Sequence, residues 1–131
     1  MNRHCRWIPA AAASLLAAAP ALAHHSFAMF DIKQTLTLQG TVKEFQWTNP
    51  HCFVQLLVPT PDSMQEWSVE LHSPGDMYRH GWRPGTFKPG DKVTLLIHPD
   101  RDGTKGGLLI SAIAANGQPL QMPGGSGGPK S

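Results

Sequence analysis

Three histidines in this sequence lie where an imidazole could bind a metal ion. His24 and His25 follow an Ala-Leu-Ala tripeptide at 21–23, and His51 follows the Asn-Pro pair at 49–50. If the chain is cleaved after the tripeptide, His24 carries a free α-amine, and this amine and the Nδ1 atom can chelate one ion. Among divalent metals, Cu(II) suits nitrogen ligands of this kind best. The pattern therefore predicts a Cu(II) site formed by His24, His25 and His51.

The same residues also have an ordinary explanation. Exposed histidines near a frayed chain end bind copper weakly in any peptide, without biological meaning. His51 could likewise be a turn residue whose imidazole hydrogen-bonds to a nearby carbonyl group. Both interpretations stay open from the sequence.

The first 23 residues have the features of a secretory signal peptide. Arg3 and Arg6 precede an almost wholly apolar run at 7–19, and alanine occupies positions 21 and 23. A charged start, a short apolar run and a small-residue site are typical of a segment that is removed on export. The run is also shorter than the ~20 residues of a membrane-spanning helix. We expect cleavage between Ala23 and His24, a periplasmic or secreted location, and no stable membrane insertion afterwards.

Charge and cysteine content argue against several function classes. Two of the 11 Lys and Arg residues lie in the predicted signal peptide, so the rest of the chain balances its 9 Asp and Glu residues. A neutral exported protein without a basic run is not expected to bind nucleic acid. Cys52 is the one cysteine after residue 23, so the mature chain cannot form an internal disulfide. Motifs of the Ser-His-Asp, phosphate-loop, Cys-x-x-Cys and His-Glu-x-x-His types are lacking, so no enzymatic activity is expected.

Apolar residues alternate with other residues in five segments that we interpret as β-strands. The segments are 35–47, 51–58, 65–72, 92–97 and 108–115. After the third, Ser73 is a suitable N-cap and Pro74 suits the first helical turn, so a short helix is predicted near 75–80. This order predicts an all-β fold, a five-stranded OB-like Greek-key barrel with a short helix between strands 3 and 4. The domain would span 24–120, and the Gly- and Pro-rich stretch 121–131 would be a disordered tail.

Strand periodicity also predicts which side chains face a ligand. Cys52 alternates with the apolar residues of strand 2 and is expected in the core, whereas His51 and Phe53 point outward. In an OB-fold the loops between strands 1 and 2 and between strands 4 and 5 flank the ligand face. Trp47 and His98 lie where these loops begin. Trp47, Phe53 and His98 are therefore predicted to form a face for a small ligand or an envelope protein.

Two other functions stay open beside copper binding. In one, the chain is a structural or protein-interaction module of the cell envelope, in which outward side chains of Phe45, Trp47 and Phe53 dock a partner without metal. In the other, the N-terminal histidine supports a copper oxidase or oxygenase, which turnover with a reductant and oxygen would reveal.

Several blocks of the sequence together resemble a known family. They are HHSFAMFD at 24–31, GTVKEFQWTNPH at 40–51, WSVEL at 67–71, GW at 81–82 and GDKV at 90–93. On these blocks the chain is similar to an uncharacterised family of small exported bacterial proteins, a domain of unknown function. The resemblance implies export and a small β-rich domain. It implies no activity, substrate or catalytic residue.

Overall fold

The computed structural model of the protein describes residues 25–123, which are mostly in β-strands. In chain order the elements are α1 (His25–Ala28), β1 (Leu36–Gln46), β2 (Phe53–Pro59), β3 (Met64–Glu70), α2 (Pro74–Arg79), β4 (Lys92–Pro99), β5 (Gly106–Ile113) and β6 (Pro119–Gln121). The predicted signal peptide, His24 and residues 124–131 of the predicted tail lie outside the described residues.

The first five strands close into a barrel. Hydrogen-bonded neighbours follow the order β3, β2, β1, β4, β5, and a parallel pairing between β3 and β5 completes the ring. The other neighbouring pairs of the barrel are antiparallel. Because α2 lies between β3 and β4, the prediction of a five-stranded OB-like barrel with one helix at this place is confirmed. The sequence analysis did not predict β6, which pairs antiparallel with the end of β5.

A β-bulge in β1 decides which of its side chains enter the core. Val42 lies opposite Leu56, but Phe45 lies opposite Val54, so β1 has one extra residue between the two pairs. The inward-facing positions therefore change from even to odd numbers at the bulge. Phe45 and Trp47 pack against the buried core as a result. The prediction that both rings face outward is wrong, because it assumed uninterrupted alternation along β1.

One end of the core contains four aromatic side chains, which we call the aromatic cluster: Phe45, Trp47, Trp82 and Phe87. The Phe45 ring centroid lies 5.7 Å from that of Trp47 and 5.5 Å from that of Phe87. Trp82 and Phe87 meet edge to face at 5.3 Å, the arrangement that aromatic quadrupoles favour. Trp82 is 1% exposed, and its Nε1–H donates to the Gln121 carbonyl oxygen at 2.9 Å. The cluster thus links the segment after α2 to β1 and β6.

Helix α2 begins and ends as the sequence predicts, within one residue at each end. The Ser73 hydroxyl accepts a hydrogen bond from the Asp76 N–H at 3.2 Å and donates to the Asp76 carboxylate at 2.8 Å. Pro74 is the first helical residue, where a missing N–H costs nothing. The chain leaves the helix at His80, and Gly81 has a φ of +89°, which glycine adopts without strain.

Both ends of the described chain are fixed to the barrel. Phe30 is 3% exposed and forms a β-bridge with Asp100 after β4. Arg101 Nε donates to the Phe30 carbonyl oxygen at 2.8 Å, which ties the N-terminal segment to the loop between β4 and β5. At the other end, Met122 is 4% exposed. The folded part therefore extends past the predicted domain end at 120, which falls inside β6.

Candidate functional site

His51 lies just before β2 and is oriented by a carboxylate on the neighbouring strand. Its Nδ1 atom is in close contact with Oε1 of Glu70, the last residue of β3. The side chains of His51 and Glu70 are 37% and 18% exposed, so the pair lies at the surface. Since the carboxylate occupies Nδ1, Nε2 is the nitrogen of His51 that is left for another partner.

Cys52, the next residue, points into the core. It is 0% exposed, and burial raises the pKa of its thiol. Its N–H donates to the His72 carbonyl oxygen at 3.0 Å, and its own carbonyl accepts from the Leu71 N–H at 2.9 Å. The prediction that Cys52 is buried while His51 faces outward is confirmed. The backbone bonds also bring His72 beside His51.

Strand registers place four residues in one row on the outer surface of the barrel. Phe53 lies opposite Glu70, Glu70 opposite Leu108, and Leu108 opposite His98. Directly opposite residues on neighbouring strands share a face, and neighbouring strands lie about 4.8 Å apart, so Glu70 and His98 are about 10 Å apart across this row. His51 and His98 therefore lie on the same side of the barrel, separated along this row by β3 and β5.

The pKa of His72 is shifted by burial and by several charged or titratable neighbours. It follows Glu70 by two positions and is partly buried, and burial lowers the pKa of its imidazole. Asp76 and Glu70 act in the opposite direction and raise this pKa, while His51 and His80 lower it further. The net lowering favours the neutral imidazole, which can accept a hydrogen bond or bind a metal ion.

A groove with a volume of about 360 Å³ lies next to this row. Its lining residues are Phe27, His72, His98, Leu108, Leu109, Ile110, Met122 and Pro123. We call it the histidine groove. The two imidazoles are its chemically distinctive groups, because the other lining residues are apolar and Met122 belongs to the buried core. Because Phe27 belongs to α1, the N-terminal segment forms part of the groove.

The ring of His98 is held in one orientation. Its Nδ1 atom lies 2.7 Å from the carbonyl oxygen of Gln34. Since a carbonyl oxygen can only accept, Nδ1 carries the proton, and the neutral ring keeps its lone pair on Nε2. A hydrogen bond from the remote ring nitrogen to a carbonyl is the usual support of a metal-binding histidine. His98 is therefore arranged to act as a ligand through Nε2.

Comparison with known proteins gives a family and no activity. Residues 12–111 match a family described as Family of unknown function (DUF6152). The chain belongs to this family. No curated protein and no solved structure matches the sequence. Since the family description names no reaction or ligand, the function of this DUF6152 member has to be argued from its own geometry.

The N-terminal ligands predicted from the sequence, His24 and the side chain of His25, lie outside the part of the chain that the structure describes. Their part in copper binding stays a prediction. His51 is on the surface beside Glu70 and does not line the histidine groove.

The predicted ligand face is distributed over different surfaces. Phe53 lies opposite Gln46, so Trp47 belongs to the other face of the sheet, where it packs against the core. His98 lines the histidine groove. The structure therefore does not bring Trp47, Phe53 and His98 to one face, because the bulge in β1 turns Trp47 inward.

Neither His72 nor Met122 is among the predicted site residues. In the sequence, Glu70 and His72 lie two residues apart on one strand face and could together ligate a metal, but such a face is more often simply solvated. The position of His72 on the same groove as His98 depends on the parallel pairing of β3 and β5. Within residues 25–123, no group of three or more His, Cys, Asp or Glu side chains could hold a metal ion by itself. A metal in the groove would need a ligand from outside this set. In the same range, no helix is long and apolar enough to cross a membrane.

Proposed function

We propose that this chain is an exported binding module that takes Cu(II) through its N-terminal histidines at the histidine groove. After cleavage behind Ala23, the amine and imidazole of His24, with His25 beside it, supply the first nitrogen ligands. The imidazole of His98 or His72 supplies a nitrogen from the folded domain. This donor set is rich in neutral nitrogen, which suits Cu(II) best among the divalent metals.

The position of Phe27 is the observation that carries the proposal. Phe27 lines the same groove as His72 and His98. Phe27 lies three positions after His24, so at ~3.6 Å per residue the two Cα atoms can be at most about 11 Å apart. The reach of the N-terminal amine therefore includes the groove.

Contacts on the barrel hold this end of the chain in place. The Asp31 N–H donates to the Pro99 carbonyl oxygen at 2.8 Å, and the Arg101 N–H donates to the Met29 carbonyl oxygen at 2.9 Å. Phe30 is buried between these two anchor points. A segment fixed this firmly loses less conformational entropy when it closes on an ion than a free peptide does. This anchoring supports a site that binds copper better than an incidental peptide chelate would.

His98 is preferred over His51 as the nitrogen ligand from the domain. Both rings present Nε2 because another group engages Nδ1. His98 shares a groove with Phe27, whereas His51 does not. His51, the ligand predicted from the sequence, remains the alternative that the experiment must compare.

The experiment uses the full chain, expressed with export and recovered after processing. Native and denaturing mass spectrometry should give a mass that begins at His24 and one bound copper ion. Loss of a supporting contact typically weakens metal binding by 10–100-fold, so His98→Ala should weaken Cu(II) binding by about tenfold or more. The same factor is expected when His24 and His25 are both replaced by serine, because the N-terminal amine then loses the two imidazoles beside it.

Two further variants separate the possible outcomes. His80→Ala is the matched control, because His80 is exposed and lies outside the groove. If His51→Ala weakens binding and His98→Ala does not, the sequence-based choice of ligand is correct. If only the replacement of His24 and His25 by serine has an effect, the N-terminal peptide binds copper alone and the domain contributes nothing. If no variant has an effect, copper is the wrong ligand.

A protein-interaction role in the envelope is the second candidate. Its original basis is weaker, since Phe45 and Trp47 pack against the core. One other observation favours it: the N-terminal segment exposes Phe27, Met29 and Ile32 by 57–61% of their surface. A photoreactive residue at position 29 would test this role in cells. A single cross-linked envelope protein that disappears with Phe27→Ser would favour it over copper binding.

A further inference from the structure

We propose that the first half of β1 binds an extended segment of another protein, which pairs with it as an added β-strand and places an acidic side chain beside Lys92. The inference does not rest on the proposed copper site, because the surface involved shares no lining residue with the histidine groove. Each proposal can therefore fail without the other.

The first half of β1 has one paired edge and one open edge. Residues 36–41 pair with β4, whereas the pairing with β2 includes β1 only from Thr41 onward. Continued in the same register, Gln39 would lie opposite Pro59, whose nitrogen has no hydrogen to donate. Among residues 25–123, no strand pairs with this side of residues 36–40. We call this open side the β1 edge.

The backbone groups on the β1 edge come from Thr37 and Gln39. Alternate residues of a strand direct their N–H and C=O groups to opposite edges. The Val42 N–H donates to the Asp91 carbonyl oxygen at 2.8 Å, and the Val42 carbonyl accepts from the Gly90 N–H at 2.8 Å, so even-numbered residues face the β4 side. Thr37 and Gln39 therefore face the β1 edge, and both are exposed. Their two N–H and two C=O groups have the spacing that an extended peptide matches.

A groove with a volume of about 450 Å³ lies beside the β1 edge. Gln39, Pro59 and Lys92 contribute to its lining. Lys92 is the charged residue of the described lining, and it forms no ion pair within residues 25–123. Alternate side chains of an added strand would point to this outer face. An acidic side chain among them would meet Lys92, and opposite charges favour this partner over others.

A second copy of this chain fits the β1 edge less well than an acidic segment does. The outward side chains in this half of β1 belong to Thr37, Gln39 and Thr41, and none of them carries a charge. The same strand from a second copy therefore offers Lys92 no carboxylate. Strand addition takes its affinity from main-chain hydrogen bonds and its specificity from pockets for alternate side chains. The β1 edge supplies the first, and the groove supplies the second.

Random eight-residue peptides displayed on phage test the inference on the processed full chain. We expect the enriched peptides to share one Asp or Glu at a fixed position. A synthetic peptide of this sequence should bind Gln39→Pro about tenfold or more weakly, because proline removes a hydrogen-bond donor from the β1 edge. Gln39→Ala is the matched control, since it keeps the N–H, and should weaken binding less than about fivefold. Lys92→Gln should weaken binding by about two- to fivefold, as expected for an exposed ion pair.

A second measurement covers the case in which Gln39→Pro does not fold. Two N-methylated forms of the peptide carry methyl groups on complementary sets of alternate amides, so only one form keeps its N–H groups toward the β1 edge. That form should bind like the parent peptide, and the other should bind about tenfold or more weakly. Equal affinities of the two forms, an unaffected Gln39→Pro, enriched peptides without a shared acidic residue, or no enrichment at all overturns the inference. A dimer of the free chain that Gln39→Pro converts to a monomer overturns it in favour of a second copy.

Discussion

The aromatic cluster and the histidine groove each contain one residue of the predicted ligand face, Trp47 and His98, but only the aromatic cluster is explained by packing. The four rings of the aromatic cluster meet edge to face or tilted, with centroid distances of 5.3–6.3 Å, and fill one end of the core. His72 and His98 are only partly buried and do not belong to the hydrophobic core. Packing in the core therefore explains the aromatic cluster but does not explain these two histidines.

The comparison shows that the type of a residue indicates a binding role less well than the side of the sheet on which the residue lies. Tryptophan is a residue type often found at ligand-binding faces, but one extra residue in β1 turns the side chain of Trp47 toward the core, where it packs. His72 attracts less attention in the sequence and is brought to the groove by long-range pairing. Stability and function should accordingly respond to different substitutions.

The largest expected effect is on the stability of the aromatic cluster. Phe87 is 2% exposed and contacts the rings of Phe45 and Trp82. Phe87→Ala leaves a cavity, and such substitutions lower the free energy of unfolding by about 3–5 kcal/mol. Urea unfolding followed by circular dichroism measures the change.

The matched substitution in the groove should lower the free energy of unfolding much less. His98→Ala removes one hydrogen bond to the Gln34 carbonyl oxygen, worth at most about 1.5 kcal/mol. If His98→Ala destabilises the protein as much as Phe87→Ala, the groove is a structural element, and the distinction between the two regions fails.

The next expected effect is on the reactivity of the Cys52 thiol, just before β2, where a buried residue follows an exposed one. Cys52 is fully buried next to His51, which is partly exposed. Its thiol should react with a thiol reagent only when the chain opens, at a rate slower by a factor of about a hundred or more than in urea. Rapid labelling of the native protein would contradict the register of β2, and His51 would then face inward.

The sequence was sufficient for features that depend on near neighbours. Alternation along β2 predicted that Cys52 is buried, and the Ser73-Pro74 pair predicted the start of α2. The order of strands and helix was enough to predict the barrel. These features follow from strand periodicity and helix capping, which act over a few residues.

The histidine groove could not be predicted in the same way. Its residues come from α1, the segment after β3, β4, β5 and the segment after β6. The parallel pairing of β3 and β5 brings Glu70 and Leu108 together from positions 38 residues apart, and no local pattern contains that information. The bulge in β1 could not be predicted from a local pattern either, because it appears only when β1 is aligned with β2.

A smaller effect is expected for the contact between His51 and Glu70. Both side chains are partly exposed, and surface pairs of this kind contribute about 0–1 kcal/mol. Glu70→Gln keeps an oxygen that can accept from Nδ1 of His51, so the free energy of unfolding should change by less than about 1 kcal/mol. A loss of twice that size in urea unfolding would show that the outer face contributes to stability as the aromatic cluster does.

The smallest expected effect is a pH dependence of stability that comes from His72. Burial lowers the pKa of its imidazole below the ordinary value of 6.5, so near and below pH 6.5 the unfolded chain binds more protons than the folded one. The free energy of unfolding should therefore fall as the pH decreases from 7.5 to 5, and the decrease should stop once the folded protein is protonated too. Asp76 and Asp102, whose pKa values are lowered from 3.8, act at more acidic pH and leave this window undisturbed. His72→Gln should reduce the slope of stability against pH in the metal-free protein. An equal slope in His72→Gln and the unaltered chain would mean that the groove does not bury this imidazole, and the contrast with the aromatic cluster would then rest on His98 alone.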